Sequence, residues 1–458
     1  MPTPGPSPRR RYLVVGTGHR AELYLEALRT THADVGEVVA LCDVNRTRMR
    51  HHAAAFDDEV VCYAAEDFER ALVESRPDGV VVCSVDRTHH LYVVPALAAG
   101  CHVVVEKPLT TTAAACADIV TAAERGPGTL TVTFNYRYAP RNSRVKELLL
   151  DGAIGTPTSV SFEWLLDTVH GADYFRRWHR DKSQSGGLFV HKATHHFDLV
   201  NWWLDDVAEA VSAQASLRFY GDAAARERGL PQRPHVGRDA APGDPFAIDL
   251  AADERLRALY LDAEHEDGYR RDVDVFAPGV TIEDNHAATI RYARGALLSY
   301  ALNAHAPWEG YRVGINGTEG RLELEVVERP AVATDQAADV VNGRRRPRPE
   351  IDPSAVEVAD AGDPVRSRGT RLLLQRHWQT AERIPVDEQG GGHGGGDQRL
   401  LDDVFRGRAA DPLGRAAGHL DGVRSVLVGL AANASAAADG APVRPADLGV
   451  ATASASRG

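Results

Sequence analysis

The stretch YLVVGTGHRAELYLEAL, residues 12–28, decides how the chain is read. Four consecutive apolar residues lead into Gly16, as in a strand covered on both faces. After Gly16-Thr17-Gly18-His19-Arg20-Ala21 the apolar spacing changes to that of a helix. This is G-x-G-x-x-[GA] set between a strand and a helix. The first glycine permits the tight turn, the second lets a pyrophosphate approach the backbone, and the small Ala21 lets the helix pack close. The helix N-terminus then offers N–H groups to the phosphates. Dinucleotide binding by Gly16, Gly18, His19, Arg20 and Ala21 is the expectation.

Further strand-like runs follow at VVALCD (38–43), GVVVCS (79–84), HVVVE (102–106) and TLTVTF (129–134). They alternate with the helical patterns AELYLEALRT, RTRMRHHAAAF, EDFERALVES, VVPALAAG and TAAACADIVTAAER. Such alternation means βαβ crossovers and an α/β fold, here a Rossmann doubly wound parallel sheet over residues 9–134. Asp43 ends the second strand, 27 residues after Gly16. It is placed to accept hydrogen bonds from the adenosine ribose, which favours NAD. Arg46 and Arg48 keep NADP as the less favoured alternative, because either is able to pair a 2′-phosphate.

Residues 135–448 are patterned differently and are expected to form a second α/β domain with a large, mostly antiparallel open sheet. SVSFEWLLD, AVSAQASLRFY, AATIRYARGALLSYALNAH and GRLELEVV read as its strands, and KATHHFDLVNWWL as a helix. Two poorly patterned excursions span about 221–272 and 327–370; the second contains NGRRRPRPEIDPS, expected to be a mobile loop or linker. TRLLLQRHWQTAER reads as helical, QGGGHGGGDQ as a linker, and two more helices run to about residue 439. Residues 1–8 and 449–458 are expected to be flexible tails.

Within 458 residues, 52 basic side chains face 64 acidic ones, a net charge of -12. That balance argues against a general affinity for nucleic acid or an anionic membrane. No run approaches the ~20 apolar residues of a membrane span. Cys42, Cys62, Cys83, Cys101 and Cys116 form no C-x-x-C pair and read as free thiols of a reducing compartment. PRRRYLVV loosely resembles a twin-arginine export signal, but the apolar region after it is too short. A cytoplasmic protein is expected.

The motifs GTGHRA, LCDVN, SVDRTHH, AAGCHVVVEKPLTTT, NYRYAP, GAIGTP and SGGLFVHKATHHFD carry a resemblance. Over about residues 11–325 the chain resembles the glucose–fructose oxidoreductase/inositol dehydrogenase/MocA (Gfo/Idh/MocA) family. The resemblance implies an N-terminal NAD(P) domain and a C-terminal domain whose open sheet often mediates oligomers, here a homodimer or homotetramer. It also implies oxidation or reduction of a hydroxyl carbon of a sugar, cyclitol or derivative. Glu106 and Lys107 match the family's E-K-P motif, and His195 its frequent acid/base histidine, with Asp198 following. His191 stands where the family usually carries aspartate, and Val85 where many relatives carry proline. Asp86 and His89 keep the pattern around the cofactor.

Only four of the basic residues are lysines, namely Lys107, Lys146, Lys182 and Lys192. Lysine presents a compact ammonium whose pKa shifts when buried, whereas arginine keeps its proton. Lys107, ending a strand at the carboxyl edge of the sheet, is read as orienting a substrate hydroxyl. His191 and His195 share a helical face with Asp198 and Trp202, while Lys192 and His196 lie on the neighbouring stripe. The catalytic set is therefore Lys107, His195 and His191. The H-x-x-x-H spacing suits two zinc ligands, with Asp198 or His393 as a third, but no H-E-x-x-H or cysteine pair accompanies it and no metal is expected. Tyr136 and Arg137 of NYRYAP, Arg177 and Trp178 of YFRRWHRDK, His196, and Trp308 of HAPWEGY are the candidate substrate residues. The tryptophans would stack on a sugar ring, while Arg176, Arg177 or Arg180 would hold a carboxylate or phosphate.

The leading functional reading is an NAD(P)-dependent oxidoreductase acting on CH–OH groups. The alternative is a glycosidase or lyase with retained NAD, acting by transient oxidation and elimination. A non-catalytic NAD-binding protein is the third.

Overall fold

The computed structural model describes residues 8–240, 244–332, 338–341, 344–347, 365–387, 395–407 and 410–451. In its first part, β1 (Arg10–Val15), β2 (Gly36–Asp43), β3 (Val61–Ala64), β4 (Gly79–Val82), β5 (His102–Val105) and β6 (Thr129–Val132) form a parallel sheet. The order is β3-β2-β1-β4-β5-β6. It reverses between β1 and β4, and that switch point opens a crevice at the carboxyl ends of the strands. β3 carries no signal of its own, since Val61 and Cys62 are exposed on an edge.

Alternation along the strands feeds a separate core on each face. Leu13, Val15, Val80 and Val105 pack on one side with Val93 and Ile119. Tyr12, Val14, Val81 and Val104 pack on the other with Tyr24 and Leu28.

The second sheet comprises β7 (Pro157–Asp167), β8 (Ala208–Ser216), β9 (Asn285–Tyr292), β10 (Leu297–Ala306), β11 (Glu309–Gly317) and β12 (Gly320–Arg329), with two further strands below. β13 (Ala338–Val341) and β14 (Arg344–Pro347) form a two-stranded sheet, while β15 (Gly369–Arg376) and β16 (Glu382–Ile384) join the large sheet. Its order is β16-β15-β12-β11-β7-β10-β9-β8, antiparallel throughout except between β7 and β10.

Several expectations are corrected. The stretch 287–305 is two strands, folded back at Gly295, whose φ of +96° suits a turn. TRLLLQRHWQTAER is β15 and β16 rather than a helix. Leu372 and Leu374 turn inward with period two, and pairing with β12 supplies the backbone partners that decide between the two patterns. The excursion at 221–272 is folded: Leu250, Leu256, Leu259 and Tyr260 close a small core of their own. Of 327–370, residues 327–329 complete β12, and 333–337, 342–343 and 348–364 lie outside the described residues.

The helix Ala193–Leu204 is buried along its whole length. It packs against the helix His419–Ala437, which also touches β8, β6 and the helix Ala113–Arg125. Val423, Val426 and Leu427 of the helix His419–Ala437 join the first domain's core, while Val428, Ala431 and Ala432 join the second's. Val450, read from sequence as part of a tail, is buried in the first core. Among the described residues no helix is long and apolar enough to cross a membrane.

Candidate active site

A cavity of about 410 Å³ lies at the carboxyl ends of the parallel strands, walled on its far side by the second domain. At its nucleotide end Gly16 adopts φ +82°, and a Cβ there would sit 2.5 Å from the Ser84 nitrogen. Only glycine fits. At Gly18 a Cβ would meet nothing nearer than the Tyr260 hydroxyl at 3.8 Å, so the second glycine faces open space that a phosphate group is able to enter. Ala21 is buried and its N–H donates to the Gly18 carbonyl at 3.0 Å, starting the helix under the turn.

Asp43 lines the cavity with its carboxylate already oriented. One oxygen accepts from the Thr17 N–H at 2.5 Å and the Thr17 hydroxyl at 2.8 Å; the other accepts from the Asn45 N–H at 2.8 Å. Glu106 accepts from Arg20 Nε and from the Tyr24 hydroxyl, both at 2.6 Å, which fixes Arg20 at the rim. His89 is scaffolding: its ring nitrogens lie 2.9 Å from the Pro108 carbonyl and 3.1 Å from the Ser84 carbonyl, tying the turn after β4 to the E-K-P turn.

Deeper in the cavity stand Lys107 and His195. The Lys107 ammonium donates to the His191 carbonyl at 3.4 Å. The His195 ring stacks on Tyr136 at 4.2 Å, and the Tyr136 hydroxyl accepts from Lys192 Nζ at 3.0 Å. His191, occupying the family's aspartate position, has Nδ1 2.6 Å from an Asp86 carboxylate oxygen. Burial, then the charges of Lys107, Arg177 and Lys192, hold His191 well below the ordinary histidine range, so its imidazole is neutral at pH 7. Burial pushes the Asp86 carboxyl upward, against the pull of Lys107 and Arg177. His179 packs 4.2 Å from His191 and stacks on Trp178 at 3.6 Å; burial, then His191 and the charges of Arg177 and Lys107, hold it well below the ordinary histidine range too.

A second proton-handling chain reaches the same cavity. Glu309 Oε1 lies 2.6 Å from His170 Nδ1, and His170 Nε2 lies 3.0 Å from the Tyr174 hydroxyl. A carboxylate on Nδ1–H fixes the tautomer and leaves Nε2 to accept the phenol proton. Arg177 is pinned by Asp173 at 3.1 Å and reaches to 3.3 Å from His19 Nδ1. Burial raises the Asp173 carboxyl, but Arg271 and Arg177 outweigh it and hold the group below the usual carboxylate range.

The cavity thus gathers Gly16, Gly18, His19, Arg20, Asp43, Asp86, His89, Glu106, Lys107, Tyr136, Arg177, Trp178, His191 and His195. Arg137, His196 and Trp308 are not among its walls, which corrects their placement. Arg137 is spent inside the protein on Asp198, at 2.7 Å from Nε, and on Asp421 at 3.1 Å. His196 is core, stacked on Trp164 at 4.3 Å with Nδ1 2.7 Å from the Tyr300 hydroxyl. Trp308 lies between β10 and β11, beneath the guanidinium groups of Arg312 and Arg366. Arg176 and Arg180 donate to the backbone carbonyls of Phe246 and Ala277. Among the described residues no three His, Cys, Asp or Glu side chains are arranged to hold a metal; His393 lies outside them.

Sequence reading missed two groups. His170, Asp173, Tyr174 and His179 come from a stretch dense in aromatics and charges, and that density was the available signal. Tyr260, Asp267 and Tyr269 come from the excursion at 221–272, more than two hundred residues from the turn they cover, and gave none.

Residues 10–134 match the model for the oxidoreductase family's NAD-binding Rossmann fold, and residues 146–443 the model for that family's C-terminal alpha/beta domain. YteT of Bacillus subtilis (strain 168) is 34% identical over 432 residues, covering 90% of this chain and 93% of that protein. The inositol 2-dehydrogenase of Gluconacetobacter diazotrophicus is 33% identical over 205 residues, a stretch spanning 44% of this chain and 56% of that one. Among solved structures, the aldose-aldose oxidoreductase from Caulobacter crescentus, complexed with glycerol, aligns with a TM-score of 0.59 at 16% identity over 95% of this chain and 100% of its own. The WlbA dehydrogenase from Bordetella pertussis, in complex with NADH and UDP-GlcNAcA, gives a TM-score of 0.60 at 18% identity over 95% and 99%. At such identities the structural likeness speaks for the fold. With both halves matched, the chain belongs to the Gfo/Idh/MocA family of oxidoreductases.

Proposed function

We propose that this protein binds NAD and transfers a hydride to or from a hydroxyl carbon of a sugar, cyclitol or related molecule. The observation that carries the reading is that Lys107 and His195 wall the same cavity as the Gly16–Gly18 turn. The residues fit the cofactor: Gly16 closes the turn, Gly18 leaves room at the helix start, and Asp43 faces the ribose position. NAD, when bound, supplies the hydride acceptor.

The chain's own residues manage the oxygen and its proton. The Lys107 ammonium sits where it is able to hold the substrate oxygen and favour its ionised form. His195 has the intrinsic chemistry to take the hydroxyl proton. The neutral His191, fixed by Asp86, sets the carbonyl on which Lys107 rests. Tyr136, Tyr174 and Trp178 supply apolar walls that thin out water and face a sugar ring.

A second reading, retained NAD with transient oxidation and elimination, is favoured by the Glu309–His170–Tyr174 chain. Elimination beside a ketone needs a group to remove a C–H proton as well as one for the hydroxyl, and Tyr174 offers it on the same cavity. The two readings separate in one experiment, in which sugars, cyclitols and aryl glycosides are incubated with the protein and NAD. Stoichiometric NADH absorbance with oxidised product supports the dehydrogenase. Released aglycone without net NADH supports elimination, and neither product from a broad panel would contradict both.

A further inference from the structure

The loop that follows β2 is held from the other domain. Asn45 Nδ2 donates to the Ala263 carbonyl at 2.9 Å, the Thr47 hydroxyl donates to Glu266 at 2.6 Å, and the Arg46 N–H donates to Glu266 as well. Arg48, buried, donates from Nη2 to an Asp267 carboxylate oxygen, and the same nitrogen lies 3.7 Å from an Asp43 carboxylate oxygen. Tyr260 completes the contact by accepting the His19 N–H at 3.0 Å over the phosphate turn. Arg48, Asp43 and Asp267 all wall the cavity.

Position decides what this means. The end of β2 and the loop after it face the adenosine ribose in a dinucleotide-binding sheet, and an arginine there is the residue that accommodates a 2′-phosphate. Here that arginine is already shared between two carboxylates. A phosphate arriving at the ribose would find Arg48 neutralised and three acidic groups, Asp43, Glu266 and Asp267, around it. Like charges at such distances, partly shielded from water, oppose binding by roughly tenfold or more.

We propose that Asp267, carried on the second domain, is a specificity-determining residue of the nucleotide site. By pairing with Arg48 it withholds the cation that a 2′-phosphate requires, and so it selects NAD over NADP. This inference rests on the NAD reading above and extends it to a residue that lies 219 positions from its partner.

Isothermal titration of the full-length protein with NAD and NADP tests it without any substrate. The wild type should bind NAD about tenfold or more tightly than NADP. Asp267→Asn should raise NADP affinity about tenfold while NAD affinity stays within about threefold, because Arg48 is released. Adding Arg48→Met to Asp267→Asn should remove the gain, which shows that the released guanidinium carries it. Asp267→Ser serves as a second release variant. An unchanged NAD/NADP ratio in both single variants overturns the inference, and so does loss of NAD binding in both, since Asp267 would then act only on folding. Wild-type binding of neither nucleotide would instead sink the NAD reading itself.

Discussion

Asp86 and His191 meet across the cleft at 2.6 Å, so the carboxylate that the helical segment lacks is returned from the turn after β4. Replacing His191 by Asp alone would set two buried carboxylates against each other, and such a pair cannot ionise together. His191→Asp is therefore expected to move the acid limb of the kcat/KM profile to higher pH. Asp86→Asn in the same chain should move it back. A pH–rate series on wild type, single and double variants reads this directly, and identical limbs in all three would refute it.

Lys107 and His195 carry the proposed chemistry. Lys107→Arg keeps the charge but puts a planar, always protonated group in the place of a compact ammonium. His195→Ala removes the proposed base. Each should lower turnover by about 10²-fold or more, with NAD affinity, measured separately by titration, changed little. Wild-type turnover in both variants would dismiss the assignment.

The two glycines of the phosphate turn should respond differently to the same methyl group. At Gly16 a Cβ would strike the Ser84 backbone, and φ is +82°. Gly16→Ala should cost about 1–3 kcal/mol of stability as well as NAD binding. Gly18 has room within the protein, the nearest atom lying 3.8 Å away. Gly18→Ala should leave the melting temperature almost unchanged and weaken NAD alone. Thermal melts with and without NAD separate the two outcomes.

His52 makes stability depend on acid. Its Nε2 lies 3.0 Å from the Thr17 carbonyl, beneath the phosphate turn, and burial lowers its pKa from 6.5 to about 4 despite that bond. The folded protein keeps this imidazole neutral while the unfolded chain protonates it near 6.5. Its contribution is fully present above that pH and is lost as pH falls toward 4, where the folded form also takes the proton. The loss is at most about 3 kcal/mol. The unfolding free energy from urea melts should therefore fall less between pH 7 and pH 5 for His52→Gln than for wild type, by about 2 kcal/mol.

The outer face of the large sheet presents Ser161, Ser299 and Ala301 in its middle, with Glu163, Arg312, Glu323 and Arg371 around them. Small side chains let a second backbone approach, so we propose this face as the contact of a homodimer or homotetramer. Light scattering at micromolar concentration should show more than one copy, and Ala301→Arg should return the protein to monomer. A monomeric wild type would remove the proposal.

Much of the first domain was legible because its strands are short, apolar on both faces and punctuated by the turn at Gly16. Asp43, Lys107, His191 and His195 were legible for a related reason: motif and strand end fix where such residues emerge. The remainder depends on partners distant in sequence. Leu372, Leu373 and Leu374 satisfy a helix or a strand until β12 lies beside them. His196 and His195 are neighbours in sequence, yet the turn of the helix sends one into the core and the other into the cavity. Arg137 and Trp308 belong to stretches whose composition suits a sugar site, and only the position of Asp198 or of the β10–β11 connection shows them engaged elsewhere. Tyr260 and Asp267 had no local pattern, because their meaning lies in the loop they touch.

The helix His419–Ala437 is the element that finishes both cores. A ribosome delivers it when the parallel sheet has long been outside the exit tunnel. Until then Leu109 and Val132, which pack against Gly422, have no cover on that side. The core of the nascent first domain is therefore closed only by a segment made after both sheets.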